Sequence, residues 1–523
     1  MRRDVAVQAM SDRSTVWDCL IIGGGATGLG AAVEAASRGL KTLLIERIDF
    51  AKGTSSRATK LAHGGVRYLE QGDIQMVRHA LKERGLMLRN APHLVHPLKF
   101  IIPAYHFHEK PFYGIGLTIY DLLAGKLSFG RSKILSKADT VEQLPTVETN
   151  GLRGGVLYFD GQFDDARLAT TLAHTLSDLG GFIANYAEAV GLLKEGGKIS
   201  GAVVRDVETG QSNEVRARVV VNATGVFVDH VREFDQQGIA KMVAVSQGAH
   251  LVLPKEFVPG TAALMVPKTS DGRVLFGIPW HNKVILGTTD HEVPKPLEEP
   301  EIEDQDISFI LTEAARYLAK DPTESDVLSC YVGLRPLVKH GDATSTAKLS
   351  RDHTVLVSSS GLVTITGGKW TTYRRMGEDC INHAVEIGGF SSGPSRTETL
   401  QLHGFQSEPD EGPEHLAVYG TDRTKIDELI RSDKALSEPI HPRLPYLKAE
   451  VVFSAREEMA RSVEDVLSRR TRSLLLDAAA AEEAAPSVAK ILATELQRDA
   501  AWQEKQVNSF QDVAKFYQLR GRK

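Results

Sequence analysis

The stretch WDCLIIGGGATGLGAAVEAASRGLKTLLIE, residues 17–46, admits few folds. A short apolar run, Cys19–Ile22, suits a buried strand. Gly23, Gly25 and Gly28 follow with the spacing G-x-G-x-x-G, an alanine-rich helical stretch runs to about Arg38, and Gly39 stands where a helix would end. Lys41–Ile45 reads as a second strand, with Glu46 at its carboxyl end. Strand, glycine turn, helix and strand together supply the context in which a glycine motif signifies dinucleotide binding. Gly23 permits the tight turn, Gly25 lets a pyrophosphate approach the backbone, and Gly28 lets helix and strand pack closely. The helix N-terminus offers unpaired N–H groups and partial positive charge to the phosphates. Glu46, 18 residues beyond Gly28, is placed to accept hydrogen bonds from ribose hydroxyls. That suits FAD or NAD and argues against NADP.

Two later units carry the same grammar. ARVVVNATG (217–225) is an apolar strand running into a small-residue turn, where Ala223 and Gly225 would lean backbone against a bound dinucleotide. SGLVTITGGKWTTYRRMGEDCI (360–381) is a strand, a Gly367-Gly368 turn with Lys369 and Thr371, and a helix. A helix N-terminus aimed at a flavin ring would stabilise the negative charge of its reduced form. Between these units and the first lies TSSRATKLAHGGVRYLE (54–70), which puts hydroxyls and cations beside a glycine pair and reads as an anion-binding segment.

At 523 residues the chain is expected to form two or three domains. Its net charge of −5 gives no general pull toward nucleic acid, so no nucleic-acid partner is expected. Cys19, Cys330 and Cys380 are far apart, form neither a metal-spaced set nor a disulfide framework, and point to a reducing compartment; no metal centre is expected. The first sixteen residues lack the apolar core of a signal peptide and read as a ragged tail. The most apolar stretch, FYGIGLTIYDLLAGKLSFG (112–130), is interrupted by Gly114, Gly116, Asp121 and Lys126. It is read as buried core, with a surface that dips into a membrane as the alternative.

The stretches IIGGGATGLGAA, TSSRATKLAHGGVRYLE, APHLVHPLKF, FDDARL, VNATG, IPWHNKVILGTTD, GLRPLV, LSRDH and GGKWTTYR occur in this order between residue 17 and about residue 380. In them the chain closely resembles the FAD-dependent, respiratory glycerol-3-phosphate dehydrogenases. The resemblance implies an α/β fold in which a Rossmann-type FAD-binding domain interleaves with an antiparallel-sheet substrate domain, as in D-amino-acid oxidase. A C-terminal helical cap domain would follow. The expected borders are 17–100, 150–240 and 335–395 for the FAD domain, 101–149 and 241–334 for the substrate domain, and 396–523 for the cap. The resemblance also implies oxidation of sn-glycerol 3-phosphate to dihydroxyacetone phosphate, with FAD passing electrons to a membrane quinone. With it come a homodimer and a cytoplasmic location on the inner face of the cell membrane. An oxidase that releases peroxide and an amine or amino-acid oxidase of the same fold are the alternatives.

Such a reaction needs arginine forks for a phosphate near −2, a proton acceptor for the C2 hydroxyl, and hydride transfer from C2 to flavin N5. By resemblance, Arg67, Tyr68, Arg335, Arg351 and Lys369 serve phosphate or hydroxyl recognition, with Arg335 and Lys369 at the catalytic centre. Lys369 at a helix start opposes the helix dipole, a conflict that an anionic ligand would resolve. His250, in SQGAHLVLP, is the favoured base because imidazole titrates near working pH, and Lys369 is the runner-up. The family commonly has serine where this chain has Ala249. Thr54, Ser55, Ser56, Lys60 and His63 are assigned to the dinucleotide, and Trp280 to the core or a pocket wall.

Two alternating stretches, from AHLVLP to ALMVPK and from RVLFGIPW to KVILGTTD, suggest the substrate sheet, and the acidic LEEPEIEDQDI a solvated loop entering a helix. Loop-like SSGPSR and GFQSEPDEGPEH precede a helical remainder. There Ser462 with Asp465 reads as a helix start, and a later helix is expected to begin at Pro486. DAAAAEEAA is left as helix or linker.

Overall fold

The computed structural model describes residues 1–66, 69, 72–339, 352–408 and 412–519. Five parallel strands form the heart of the first sheet, in the order Val363–Gly367, Ser212–Asn222, Val16–Ile22, Thr42–Ile45, Phe182–Ala184. His353–Val357 adds an antiparallel edge, and two further strands extend the sheet beside Ser212–Asn222. Parallel neighbours end on the same side, and Ile22 pairs with Asn222, which pairs with Thr364. The turns after three distant strands therefore meet along one crest, where the strand order reverses direction.

Helix Ala26–Ser37 lies on this sheet against helix Tyr373–Gly388. A Cβ on Gly30 would stand 2.7 Å from the Tyr373 carbonyl oxygen, and one on Gly377 2.6 Å from the Gly30 carbonyl carbon. The close crossing thus depends on two glycines outside the dinucleotide motif.

The second sheet has ten strands and is mostly antiparallel. Its long pair is Val243–Pro254 with Ser329–Val338, in which Ser246 faces Arg335, Gly248 faces Gly333 and His250 faces Tyr331. Alternation puts these six residues on one face, while Ala249, Leu251, Cys330 and Val332 point into a separate apolar cluster. Val95–Ala104 and Gly154–Phe163 pair along their whole length in this sheet. The borders expected at 100 and 335 fall inside strands Val95–Ala104 and Ser329–Val338 of this sheet, because pairing at long range decides membership, whereas the border at 150 falls just before Gly154–Phe163.

Several local expectations change. The supposed tail is a helix, Arg3–Ser11, with Ala6 and Met10 buried and Arg3 hydrogen-bonded to Asp206 and two carbonyls. The later helix starts at Ala478 rather than Pro486. Asp477 caps it, and Ala481, Ala484, Ala485 and Val488 form a buried stripe that carries the helix through the proline. Ser462 and Asp465 do cap one another reciprocally. Glu299 of the acidic loop is drawn inward to Lys52 and Arg57. Only the inner face of helix Glu109–Ala124 is core; its outer face is exposed.

The cap joins the first sheet through charge. The Asp49 carboxylate accepts hydrogen bonds from Arg469 at 2.6 Å and Arg470 at 2.8 and 2.9 Å. His403 lies between Asp178 and Asp422, 2.7 Å from each, and stacks on His174. His174, His403 and Asp422 thus converge without having been expected to, yet both nitrogens of His403 already face carboxylates. Although burial alone would lower its pKa, these contacts raise it to about 9. A folded-state value above the ordinary 6.5 means that the stabilisation is complete below pH 6.5 and is lost as pH rises through 9. The thermal-stability gap between wild type and His403→Gln should therefore close between those values. A gap that widens instead would exclude the charged-latch reading.

Candidate active site

The crest of the first sheet and the His250–Arg335 face of the second enclose a cavity of about 1030 Å³. On the crest, Gly23 has φ +115° and a Cβ there would lie 2.6 Å from the Ala223 carbonyl oxygen. A Cβ on Gly28 would lie 1.9 Å from the Gly23 oxygen, so Gly28 serves packing beneath the turn rather than the cavity wall. Gly25 opens the helix without a side-chain cap, and Ser55 Oγ instead accepts the Ala26 N–H at 2.9 Å. Glu46 sits on the wall and accepts from the N–H groups of Gly24 and Ile48 at 2.7 and 3.0 Å. Burial raises its pKa, and those two donors oppose the rise.

The segment after the motif knits the crest together. Trp370 Nε1 donates to the Ser55 carbonyl at 2.8 Å, and the His63 N–H donates to Thr371 Oγ1 at 3.2 Å. Thr54, Ser55, His63, Gly225, Gly367 and Gly368 consequently share the wall with Lys369. Lys369 precedes a single 3₁₀ turn, Trp370–Thr372, which leads into the long helix. Gly367 and Gly368 hold φ of +83° and +71°, which aims the chain back over the cavity.

The cations of this segment divide, contrary to expectation. Lys60 is fully buried and turned away from the cavity. Its ammonium donates to Asp165 at 2.6 Å and the Ser56 carbonyl at 2.8 Å, between the rings of Trp280 and Tyr331. Burial, partly opposed by Asp165, lowers its pKa to about 8. Ser56 is likewise off the wall, its carbonyl shared by Lys60 and Arg472. Assigning Lys60 and Ser56 to the dinucleotide is thus corrected: a buried carboxylate 105 residues away claims the ammonium. Trp280 is core.

On the opposite face, Arg335 is held by one turn. Its Nη1 donates to Asp290 at 3.1 Å and its Nη2 to Thr288 Oγ1 at 3.0 Å, while both reach the Thr289 carbonyl at 3.2 Å. Asp290 also accepts from the Ser246 hydroxyl. A Cβ on Gly248 would lie 2.2 Å from Nη2, and one on Gly333 2.6 Å from the Arg57 oxygen. These glycines make room for the guanidinium and the 54–59 segment. Sequence reasoning missed Gly248, Gly333 and Asp290, although GTTD ends in the aspartate concerned.

His250 is buried, stacked on Tyr331 at 4.6 Å, with Nε2 2.9 Å from Thr59 Oγ1. Its Nδ1 is buried without a hydrogen-bond partner among the described residues. Burial, then Arg335 and Lys60, push its pKa well below 6.5. The expectation that it titrates near working pH is corrected: the free molecule holds it neutral. Arg67, Tyr68 and Arg351 lie outside the described residues. Asp160 is an unexpected member of the wall: it binds Arg84 at 2.7 Å and Tyr120, whose hydroxyl accepts the Gly64 N–H at 2.8 Å.

The pattern of the family described as FAD dependent oxidoreductase matches residues 18–374, and that of the C-terminal domain of alpha-glycerophosphate oxidase matches 365–505. The mitochondrial glycerol-3-phosphate dehydrogenase of Homo sapiens is 42% identical over 92% of this chain and 71% of its own length. That of Arabidopsis thaliana is 39% identical over 94% and 84%. Among solved structures, the glycerol-3-phosphate dehydrogenase of Bacillus halodurans complexed with FAD superposes with a TM-score of 0.81 at 28% identity, covering 98% of this chain and 97% of that one.

Proposed function

Because this chain belongs to the FAD-dependent glycerol-3-phosphate dehydrogenases, we propose that it oxidises sn-glycerol 3-phosphate to dihydroxyacetone phosphate and passes the electrons to a membrane quinone. FAD is its cofactor, and the wall fits that group: side-chain-free approaches at Gly23 and Gly25, an acceptor at Glu46, and backbone turns at Ala223, Gly225 and Gly367. When bound, the flavin supplies the acceptor for the hydride leaving substrate C2. The observation that carries the substrate assignment is the Arg335 fork, braced by Asp290 in the cavity that also bears Lys369 and the dinucleotide cradle.

Arg335 and Lys369 bind the phosphate, for which a guanidinium fork and an ammonium supply charge-assisted hydrogen bonds. Arg67, Tyr68 and Arg351 are assigned to the same substrate by motif. His250, with Thr59 at its Nε2, takes the C2 hydroxyl proton. A phosphate dianion beside Arg335 offsets one of the charges that hold the imidazole neutral, so binding raises its affinity for the proton at the step that needs it.

The test is anaerobic addition of glycerol 3-phosphate to purified holoenzyme while flavin absorbance is followed. Bleaching, with reoxidation by a quinone analogue, is expected. Bleaching by glycine or proline in its place would overturn the substrate, and peroxide accounting for every electron would overturn the acceptor. No described helix is long and apolar enough to cross a membrane.

A further inference from the structure

We infer that Thr59 is a further catalytic residue: its hydroxyl meets the C2 hydroxyl of the substrate and relays the proton to His250 behind it. The inference rests on the glycerol 3-phosphate reading and deepens it by naming the path the proton takes.

The surroundings of His250 leave one way in. The residue is only 2% exposed. One face of its ring stacks on Tyr331, and its Cδ2 edge lies against Gly287, where a Cβ would come within 2.4 Å of that atom. Nδ1 is buried with no hydrogen-bond partner among the described residues. A nitrogen sealed in this way neither touches substrate nor exchanges protons during turnover, which leaves Nε2 as the working atom. Thr59 Oγ1 stands 2.9 Å in front of Nε2. Thr59 is half-buried on the cavity wall, and among the described residues its hydroxyl bonds to His250 alone.

The neighbours of Thr59 hold it in place. Ala58 offers its carbonyl to the Tyr331 hydroxyl at 3.1 Å and its N–H to Asp165 at 2.9 Å, while Lys60 binds the same carboxylate at 2.6 Å. Tyr331 thus packs on the imidazole and also fixes the residue before the hydroxyl, which keeps the two members of the relay in register. Lys60 takes φ +64°, in the left-handed region that a non-glycine residue enters at a cost, and such strain gathers at functional sites. Burial, with the nearby charges of Arg335 and Lys60, keeps the imidazole neutral, so Nε2 has a lone pair to offer.

In the reaction Nε2 takes the Thr59 proton as Thr59 Oγ1 takes the proton of the C2 hydroxyl. The O–H electron pair becomes the second bond of the C2 carbonyl, and the C2–H pair leaves as hydride to the flavin. Thr59 ends as it began, with the proton on His250.

The test is anaerobic flavin bleaching by glycerol 3-phosphate in holoenzyme, with Thr59→Ser, Thr59→Val and His250→Asn beside wild type. Thr59→Val keeps the branched shape and loses the hydroxyl. Its limiting bleaching rate should fall about 10²- to 10⁴-fold, the range that general acid–base catalysis supplies. Its flavin content and half-saturating substrate concentration should stay near those of wild type. Thr59→Ser restores the hydroxyl and should recover most of the rate. Thr59→Val/His250→Asn should be no slower than the slower single variant, because both changes interrupt one path. Apart from turnover, the ring-nitrogen NMR resonances of His250 in substrate-free enzyme, identified by their loss in His250→Asn, should show hydrogen on Nδ1 and a lone pair at Nε2. The relay is overturned by Thr59→Val that bleaches at the wild-type rate, by Thr59→Ser as slow as Thr59→Val, by additive losses in the double variant, or by hydrogen on Nε2. Loss of flavin from Thr59→Val overturns it too, by making Thr59 a cofactor or folding residue. Wild type that glycerol 3-phosphate fails to bleach overturns the function itself, and the relay with it.

Discussion

Arg335→Ala is expected to abolish bleaching of the bound flavin by glycerol 3-phosphate while the protein keeps its FAD. Truncating one member of a hydrogen-bonded charge pair costs about 2–5 kcal/mol, or ~30- to ~5000-fold in kcat/KM if the phosphate depends on the fork. The Arg335 guanidinium hydrogen-bonds Thr288, Thr289 and Asp290, on a turn between strands of the second sheet rather than on the crest of Gly23 and Gly225. Flavin content and melting temperature should therefore move little. Arg335→Lys retains charge without the planar fork and should recover only part of the loss. Release of flavin from Arg335→Ala would show that the residue holds the cofactor or the fold instead.

Asp165→Ala should be the most destabilising of the substitutions considered. The carboxylate is fully buried and serves four donors. Lys60 and the Ala58 N–H bind Oδ2 at 2.6 and 2.9 Å, while Arg472 and the Ala166 N–H bind Oδ1, both at 2.9 Å. Its removal strands two buried cations, and breaking a buried ion pair costs about 3–5 kcal/mol. The denaturant midpoint should fall, and FAD should dissociate more readily, because the 54–60 segment loses the support beneath Thr54 and Ser55. Asp165→Asn keeps the acceptor geometry and should fall between wild type and alanine. A midpoint unchanged in Asp165→Ala would mean that the cluster is solvated and contributes nothing.

The two expectations mark where sequence reasoning succeeds and where it stops. The βαβ unit was legible because its logic is local: Gly23, Gly25, Gly28 and Glu46 lie within one strand–turn–helix–strand run, and their spacing is the geometry. The turns at 223–225 and 367–371 were legible for the same reason, each following a strand suited to a parallel sheet. The cations were not legible. Lys60 and Lys369 look alike in sequence, yet the first is claimed by buried Asp165 and the second lines the cavity, as does Arg57 beside Glu299. No spacing rule decides which carboxylate a lysine will meet across 105 residues. The environment of His250 was also hidden, since its neutral state follows from burial and two cations brought there by other strands.

By itself, then, the sequence determined the βαβ unit, the family and the inventory of candidate cations, all of which are written in short contiguous motifs. The tertiary structure decided which members of that inventory reach the cavity and which are consumed in holding the cap, through pairings that depend on strand register and burial. It also decided that the most apolar stretch, read as core, keeps one face outside. A helix buries only the stripe its neighbours can cover, and nothing in residues 112–130 alone says how many neighbours there will be.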